Sequence, residues 1–331
     1  MTGSPKHVVI TDYTFDDVAI ETRVLEPLGC RITALKAGKG QELIDAVQDA
    51  DAVITQFAPV TAAVIGAMQQ CRVIVRYGIG VDNVDLAAAA ARKIPVCNIP
   101  DYCIDEVADH TIALILCATR QIVPCSNVIM AGQWKCPVTL DALHALKDMT
   151  VGLIGFGRIG REVAARLQPF KCRIQVFDPL ASGDAVRAAG CLPATLEEVI
   201  ATSDLLSLHC PSTEQTRYLI NEKSIASMKP GAILVNASRG TLVQTDALVA
   251  ALRSGHISAA ALDVTDPEPI NADNPLLLCA YVIITPHCAS ATPQAVLRLR
   301  TDAAHLAARA LRGEALSSIV NGMTTTATKA G

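Results

Sequence analysis

Short β-branched runs alternate with longer segments of helical period along almost the whole chain, and that rhythm restricts the fold more than any other feature. Two parallel strands need a crossover of a dozen or more residues between them, usually a helix, so the alternation describes parallel sheets. In the first third, residues 7–12, 32–37, 52–56, 73–77 and 96–99 read as strands, with 15–28, 41–50, 62–70 and 84–92 as the helices between them. A second series begins at Thr150, with strands at 150–154, 173–177, 205–208, 232–235, 258–262 and 282–284. Between the series, 103–120 reads as one long apolar helix crossing from one domain to the other, followed by a polar stretch at 132–135. A last helix is expected over 293–312, and the small, polar tail 324–331 is expected to fray. At about 150 residues per domain, the 331 residues make two domains. The fold class is α/β, with two doubly wound parallel sheets.

Composition removes several functions. With 28 basic and 32 acidic residues the net charge is -4, so no basic excess exists to grip a phosphate backbone. Five Phe, five Tyr and one Trp give few platforms for base stacking, so no nucleic-acid partner is expected. The longest apolar run, residues 276–284, is nine residues and falls short of the roughly 20 that span a bilayer, so no membrane span is expected. The opening residues carry no secretory signal pattern. Twelve cysteines are scattered with no C-x-x-C pair, and read as reduced small side chains of a cytoplasmic protein. Metal ligands are not clustered along the sequence, so no metal is expected.

The sharpest motif is Gly155-Phe156-Gly157-Arg158-Ile159-Gly160, a G-x-G-x-x-G between a predicted strand and a predicted helix. In that setting the glycines serve a tight turn, close approach of backbone to a pyrophosphate, and close packing of helix on strand. The pyrophosphate then lies at the helix N-terminus. Asp178 closes the next strand, 18 residues past Gly160. A carboxylate there accepts hydrogen bonds from ribose hydroxyls and repels a 2′-phosphate, which selects NAD over NADP. Downstream, Arg239, Glu268 and His287 each follow a predicted strand. Parallel strands present their C-terminal ends on one edge, so the three are expected to converge beside the nicotinamide. They form a chemically complete set: a guanidinium to grip a carboxylate, an imidazole to exchange a proton, and a carboxylate to orient it.

Several runs carry a resemblance: Arg76 to Asp85 (RYGIGVDNVD), the glycine motif, His209-Cys210-Pro211-Ser212-Thr213, Asn236-Ala237-Ser238-Arg239-Gly240, Asp263-Val264 with Glu268-Pro269, and Pro286-His287. In that order they resemble the D-isomer-specific 2-hydroxyacid dehydrogenase family, in its phosphoglycerate dehydrogenase and C-terminal-binding protein-like branch. The resemblance implies a Rossmann cofactor domain, 103–288, inserted into a flavodoxin-like substrate domain made of 1–102 plus 289–331. It implies Arg239, Glu268 and His287 as the catalytic set. It places NAD on Gly155, Gly157, Arg158, Ile159, Gly160, Asp178, His209, Cys210, Pro211, Thr216, Ala237, Ser238, Arg239, Asp263 and His287, with Thr111 as a neighbour. It places a small anionic substrate on Arg76, Tyr77, Gly78, Ile79, Arg239 and His287, the first four largely through backbone amides. It also implies a homodimer joined through the cofactor domains, and the reading expects no regulatory domain after residue 331.

The function expected is hydride transfer between nicotinamide and C2 of a D-2-hydroxy acid or its 2-oxo partner, with phosphorylated acids included in the class. A phosphite or hydroxyphosphonate dehydrogenase and an NAD-sensing corepressor-like binding protein are the alternatives. Two departures from the family pattern, Gln244-Thr245-Asp246 and Cys288-Ala289-Ser290-Ala291-Thr292, bear on substrate identity. Among the other histidines, His110 reads as a buried, hydrogen-bonded residue, His7, His144, His256 and His305 as surface or helix-end residues, and His209 as either structural or in contact with the cofactor. Tyr102 and Cys103 read as hinge packing or as the substrate mouth. Arg298 and Arg300 read as a solvated face of the last helix, with phosphate binding as the alternative.

Overall fold

The computed structural model describes residues 5–324, so most of the tail read as fraying lies outside the described residues. The chain divides into two units, Met1–Cys103 with Thr292–Gly331, and Ile104–Ala291. The first holds β1 (His7–Ile10), β2 (Arg31–Ala34), β3 (Ala52–Thr55), β4 (Ile74–Arg76) and β5 (Val96–Cys97). They form one parallel sheet of order β2-β1-β3-β4-β5, the flavodoxin-like arrangement. β1 and β3 are buried along their whole length, as expected of strands covered on both faces. Val9, Val53, Ile74 and Val96 build a core with Ile65 and Met68. The helix Pro293–Arg312 starts at Thr292, whose hydroxyl caps Ala295 N at 3.0 Å, and stops at Gly313 with φ 72°. It packs on β3 and β4, which places the late segment in the same unit as the first strands.

That helix corrects one expectation. Arg300 is not solvated: it is 7 % exposed and forms a bidentate pair with Glu21, itself fully buried. Nε lies 2.9 Å from Oε1 and Nη2 lies 2.8 Å from Oε2. Arg298 reaches the Tyr102 carbonyl through Nε and Nη2. Tyr102 and Cys103 are both buried. His7 is also buried, between Asp49 and Thr33. A helix of alternating Ala, Leu and Arg looks amphipathic from its sequence, but a charged partner elsewhere in the chain can bring one of its arginines inside.

The second unit holds β6 (Thr150–Ile154), β7 (Arg173–Phe177), β8 (Leu192–Pro193), β9 (Leu205–Leu208), β10 (Ala232–Asn236), β11 (Ile257–Leu262) and β12 (Val282–Ile284). They form a parallel sheet of order β8-β7-β6-β9-β10-β11-β12, a Rossmann order extended by one strand. Seven strands stand where six were expected. β8 has two residues, one a proline, and sits at the edge where a missing N–H does no harm. Alternate residues feed two cores, Val151, Leu153, Val176 and Val235 on one face and Ile154, Leu206, Leu234 and Leu262 on the other. The helix Ile104–Thr119 lies against β10 and β11, where Ala259 and Ala261 leave room for it. It ends because Gln121 takes a left-handed φ of 52°, and a second helix, Ile122–Met130, leaves at an angle of 66°. Sequence periodicity ends the first helix at Arg120, within a residue of where it stops, and does not reveal the second. Among the described residues no single helix is long and apolar enough to cross a membrane.

Candidate active site

The turn after β6 is built from close backbone contact. Gly155 has φ 103°, and a Cβ there would lie 2.6 Å from the His209 carbonyl carbon and oxygen and 2.7 Å from Cys210 N. A Cβ on Gly160 would meet Gly155 O at 2.3 Å, so helix and turn touch without side chains between them. Gly157 differs: a Cβ there would meet nothing within 4 Å. It is the N-cap of the helix Arg158–Leu167 and faces open space, the place a pyrophosphate needs at a helix N-terminus. Asp178 lies beside the turn, its Oδ2 accepting from Phe156 N at 2.6 Å and its Oδ1 from Leu180 N at 2.7 Å and Ala181 N at 3.2 Å. These amides aim the carboxylate: Oδ1 is taken by two of them, and Oδ2, with one, keeps a lone pair for a ribose hydroxyl. The residues present therefore fit a dinucleotide.

Behind the turn, His209 bonds Ser207 Oγ at 2.9 Å, and burial lowers its imidazole pKa to about 4. It is a neutral packing residue at ordinary pH. Burial likewise pushes the Cys210 thiol up to about 11. Thr216 organises its own loop, its hydroxyl donating to Pro211 O at 2.7 Å and accepting from Thr213 N at 2.7 Å. Thr111 is fully buried and bonds Val107 O within its helix.

The three polar residues read from the sequence follow neighbouring strands. Asn236, Leu262 and Ile284 are in register at the ends of β10, β11 and β12. Arg239 follows the first by three residues, Glu268 the second by six, and His287 the third by three. His287 Nδ1 and Glu268 Oε1 are hydrogen-bonded, which leaves Nε2 as the nitrogen that can exchange a proton. The histidine has φ 50°, uncommon for a residue with a side chain, and its N–H is held by Asp263 O at 2.8 Å and Thr285 O at 3.0 Å. The Arg239 loop is shaped by buried Asn236, which donates to Arg239 O at 2.8 Å and accepts from Ser238 N at 3.0 Å. Ser238 Oγ ties the loop to Cys210 O at 2.6 Å, and Ala237 stays half-buried beside it. Gly240 has no room for a side chain, since a Cβ would fall 1.9 Å from Thr265 O. The arginine loop and the segment leading to Glu268 are therefore pressed together.

Asp263 anchors the histidine loop. It is 1 % exposed and accepts from Thr285 Oγ1 at 2.5 Å, Cys288 N at 2.9 Å and Ala289 N at 2.9 Å. Sequence reasoning read Asp263 as a cofactor contact; its carboxylate is in addition the clamp that sets the His287 backbone. Thr285 and Asn236 were not singled out, although each lies within three residues of a catalytic candidate on the same strand end.

In the first unit, the loop after β4 is fixed in its own way. Tyr77 does not turn its ring outward. Its phenol donates to Glu21 Oε1 at 2.8 Å, its ring meets Phe15 edge-on at 5.6 Å, and its N–H bonds Thr55 O at 2.7 Å. Burial first, and the Glu21 charge second, hold its pKa well above the usual range. Gly78 N bonds Arg76 O at 2.9 Å, and Ile79 O accepts from Asn98 Nδ2 at 2.6 Å. The amides of Tyr77 and Gly78 are thus engaged within the loop, which narrows the expectation that they receive a substrate carboxylate. The Arg76 guanidinium stacks on the Phe57 ring at 5.8 Å.

A glycine turn on an interior strand of a doubly wound sheet, with an aspartate closing the next strand, defines a dinucleotide-binding α/β protein. Residues 112–289 match the model of the D-isomer specific 2-hydroxyacid dehydrogenase, NAD binding domain, and the chain belongs to that family, with NAD as its cofactor. It is 38 % identical over 281 residues to D-3-phosphoglycerate dehydrogenase of Mycobacterium leprae, covering 85 % of this chain and 53 % of the relative. It is 38 % identical over 285 residues to glyoxylate reductase of Thermofilum pendens, covering 85 % and 84 %. Among solved structures it is similar to D-lactate dehydrogenase of Aquifex aeolicus complexed with NAD and lactic acid, at TM-score 0.83 and 28 % identity over 93 % of this chain and 96 % of that one. The chain spans about half the length of the mycobacterial relatives it matches.

Proposed function

We propose that this chain is an NAD-dependent oxidoreductase acting at C2 of a small D-2-hydroxy acid or its 2-oxo partner. The observation that carries the reading is the His287–Glu268 pair, which follows the two strands next in order to the strand of Arg239, on the edge that also holds the glycine turn. NAD supplies the hydride acceptor or donor. His287 holds the exchangeable proton at Nε2 and passes it to or takes it from the C2 oxygen, while Glu268 at Nδ1 fixes the ring. Arg239 grips the carboxylate and steadies charge on the developing oxyanion. The relatives named phosphoglycerate dehydrogenase and glyoxylate reductase support a small 2-oxo acid, and Arg76 is the residue of its loop proposed for the substrate anion. A proton-transfer pair has no use in a purely binding protein, which counts against a corepressor-like role.

The test is NADH oxidation with glyoxylate, hydroxypyruvate, pyruvate and phosphohydroxypyruvate in turn. One substrate should turn over, and His287→Ala should lower kcat by about 10²- to 10⁴-fold while NADH still binds, as followed by its fluorescence. Undiminished turnover in that variant removes the histidine from the reaction.

A homodimer joined through the second unit is part of the proposal. Ile122, Val123, Ile129, Met130, Trp134 and Leu140 are all exposed there, with Trp134 at 93 %, and an apolar surface of this kind calls for a covering partner. Met130→Asp with Trp134→Asp should halve the mass in sedimentation. Together with the absence of a membrane-crossing helix among the described residues, the cysteine usage supports a cytoplasmic location.

A further inference from the structure

Three donors far apart in the sequence meet on the second unit beside the catalytic loop: His110 from the helix Ile104–Thr119, Asp263 after β11, and Cys288 after β12. Their ligating atoms all lie within 4.8 Å of one another. His110 Nε2 stands 3.5 Å from Asp263 Oδ1. Tetrahedral zinc, with bonds of 2.0–2.3 Å, sets its donors about 3.3–3.8 Å apart, so the imidazole and carboxylate already have the spacing. Cys288 is half-buried, and its sulfur lies within 4.8 Å of both other donor atoms. The Thr285 hydroxyl now bridges the other two, 3.1 Å from His110 Nε2 and 2.5 Å from Asp263 Oδ1. That bridge holds the imidazole and the carboxylate facing one another at the separation a shared cation needs. Cys288 lies in the segment that departs from the family pattern, and the catalytic reading has no use for its thiol.

We infer that His110, Asp263 and Cys288 form a binding site for a thiol-seeking divalent cation of the zinc class, which clamps the loop carrying His287. A donor set of imidazole, carboxylate and thiolate suits Zn²⁺ rather than Mg²⁺ or Ca²⁺. The step is balanced: the cation binds, Cys288 gives up its thiol proton to solvent, His110 ligates through Nε2 and keeps a proton on Nδ1, and a water completes the fourth position. Nothing is oxidised or reduced. Because Asp263 also bonds the amides of Cys288 and Ala289 and carries His287 N on its carbonyl, a cation there fixes the histidine loop from two sides.

The experiment uses the full chain, reduced and freed of metal with a chelator, and needs no turnover, so its outcome is independent of the proposed reaction. Co²⁺ titrated alone should produce a near-ultraviolet thiolate-to-cobalt absorption with release of one proton, and Zn²⁺ should then erase the band with no further release. Cys288→Ser should abolish the band, and His110→Gln should weaken binding by at least about 10-fold, while Cys136→Ser, which removes an exposed thiol elsewhere, should leave both unchanged. A band that persists in Cys288→Ser, an unaltered affinity in His110→Gln, or no band in the parent chain overturns the proposal.

Discussion

Two loops that end interior strands, one in each sheet, are made rigid by opposite means. After β4, the first unit uses long side chains: Tyr77 bonds Glu21, and Glu21 is gripped by Arg300 from 279 residues away. After β6, the second unit uses the absence of side chains, with Gly155 and Gly160 pressing backbone on backbone. The first device depends on two charges being present together in a dry place. The second is indifferent to charge but tolerates no methyl group. An ion pair can join segments distant in sequence, whereas a glycine contact serves best where another backbone passes close by.

Breaking the charged device should have the largest effect. Arg300→Met leaves Glu21 buried without its counter-ion and should cost about 3–5 kcal/mol in denaturant unfolding. The double change with Glu21→Leu should recover most of it; a loss under about 1 kcal/mol in the single variant would show that the pair holds nothing.

Next comes the histidine packed behind the glycine turn. The pKa of His209 is about 4 when folded, against an ordinary value of 6.5. The unfolded chain therefore takes up the proton first. Stability is intact above about pH 6.5 and falls as pH drops to about 4, by about 3 kcal/mol in all. Unfolding of His209→Gln followed over that range should lack this acid limb, and an unchanged slope contradicts the assignment.

The glycines themselves sharpen the contrast. Gly155→Ala should destabilise the second unit by about 1–3 kcal/mol, whereas Gly157→Ala should melt like the parent and fail in NAD binding by calorimetry. Equal melting losses in both would mean the two positions do the same job. The smallest effect is expected at Asp178. Replacing it with Ala should reduce the preference for NAD over NADP by about tenfold, or 1.4 kcal/mol, in paired cofactor titrations.

Much of this was legible in the sequence because the signals were local. The glycine motif lies within six residues, and parallel topology places Arg239, Glu268 and His287 on one edge without any knowledge of contacts. The helix Pro293–Arg312 was readable from its N-cap threonine, its proline and its closing glycine. What could not be read depends on partners distant along the chain. Arg300 looks like a surface arginine until Glu21 is beside it, and His110 looks like an ordinary core histidine until Thr285 and Asp263 reach it. The second helix, Ile122–Met130, was hidden because the turn at Gln121 rests on a single residue with positive φ, which leaves no compositional trace of a restart. β8 was missed because two residues at a sheet edge carry no period.

The interleaving of the two units has a consequence for the order of assembly on the ribosome. Residues 104–291 emerge as one uninterrupted piece and can close their sheet as they appear. The earlier-made sheet must wait for the helix that packs on β3 and β4. At about 5–20 residues per second, Glu21 spends roughly 15 to 55 s in the nascent chain before Arg300 is synthesised. The part of the molecule translated first is thus the last to mature, and its carboxylate stays hydrated until then.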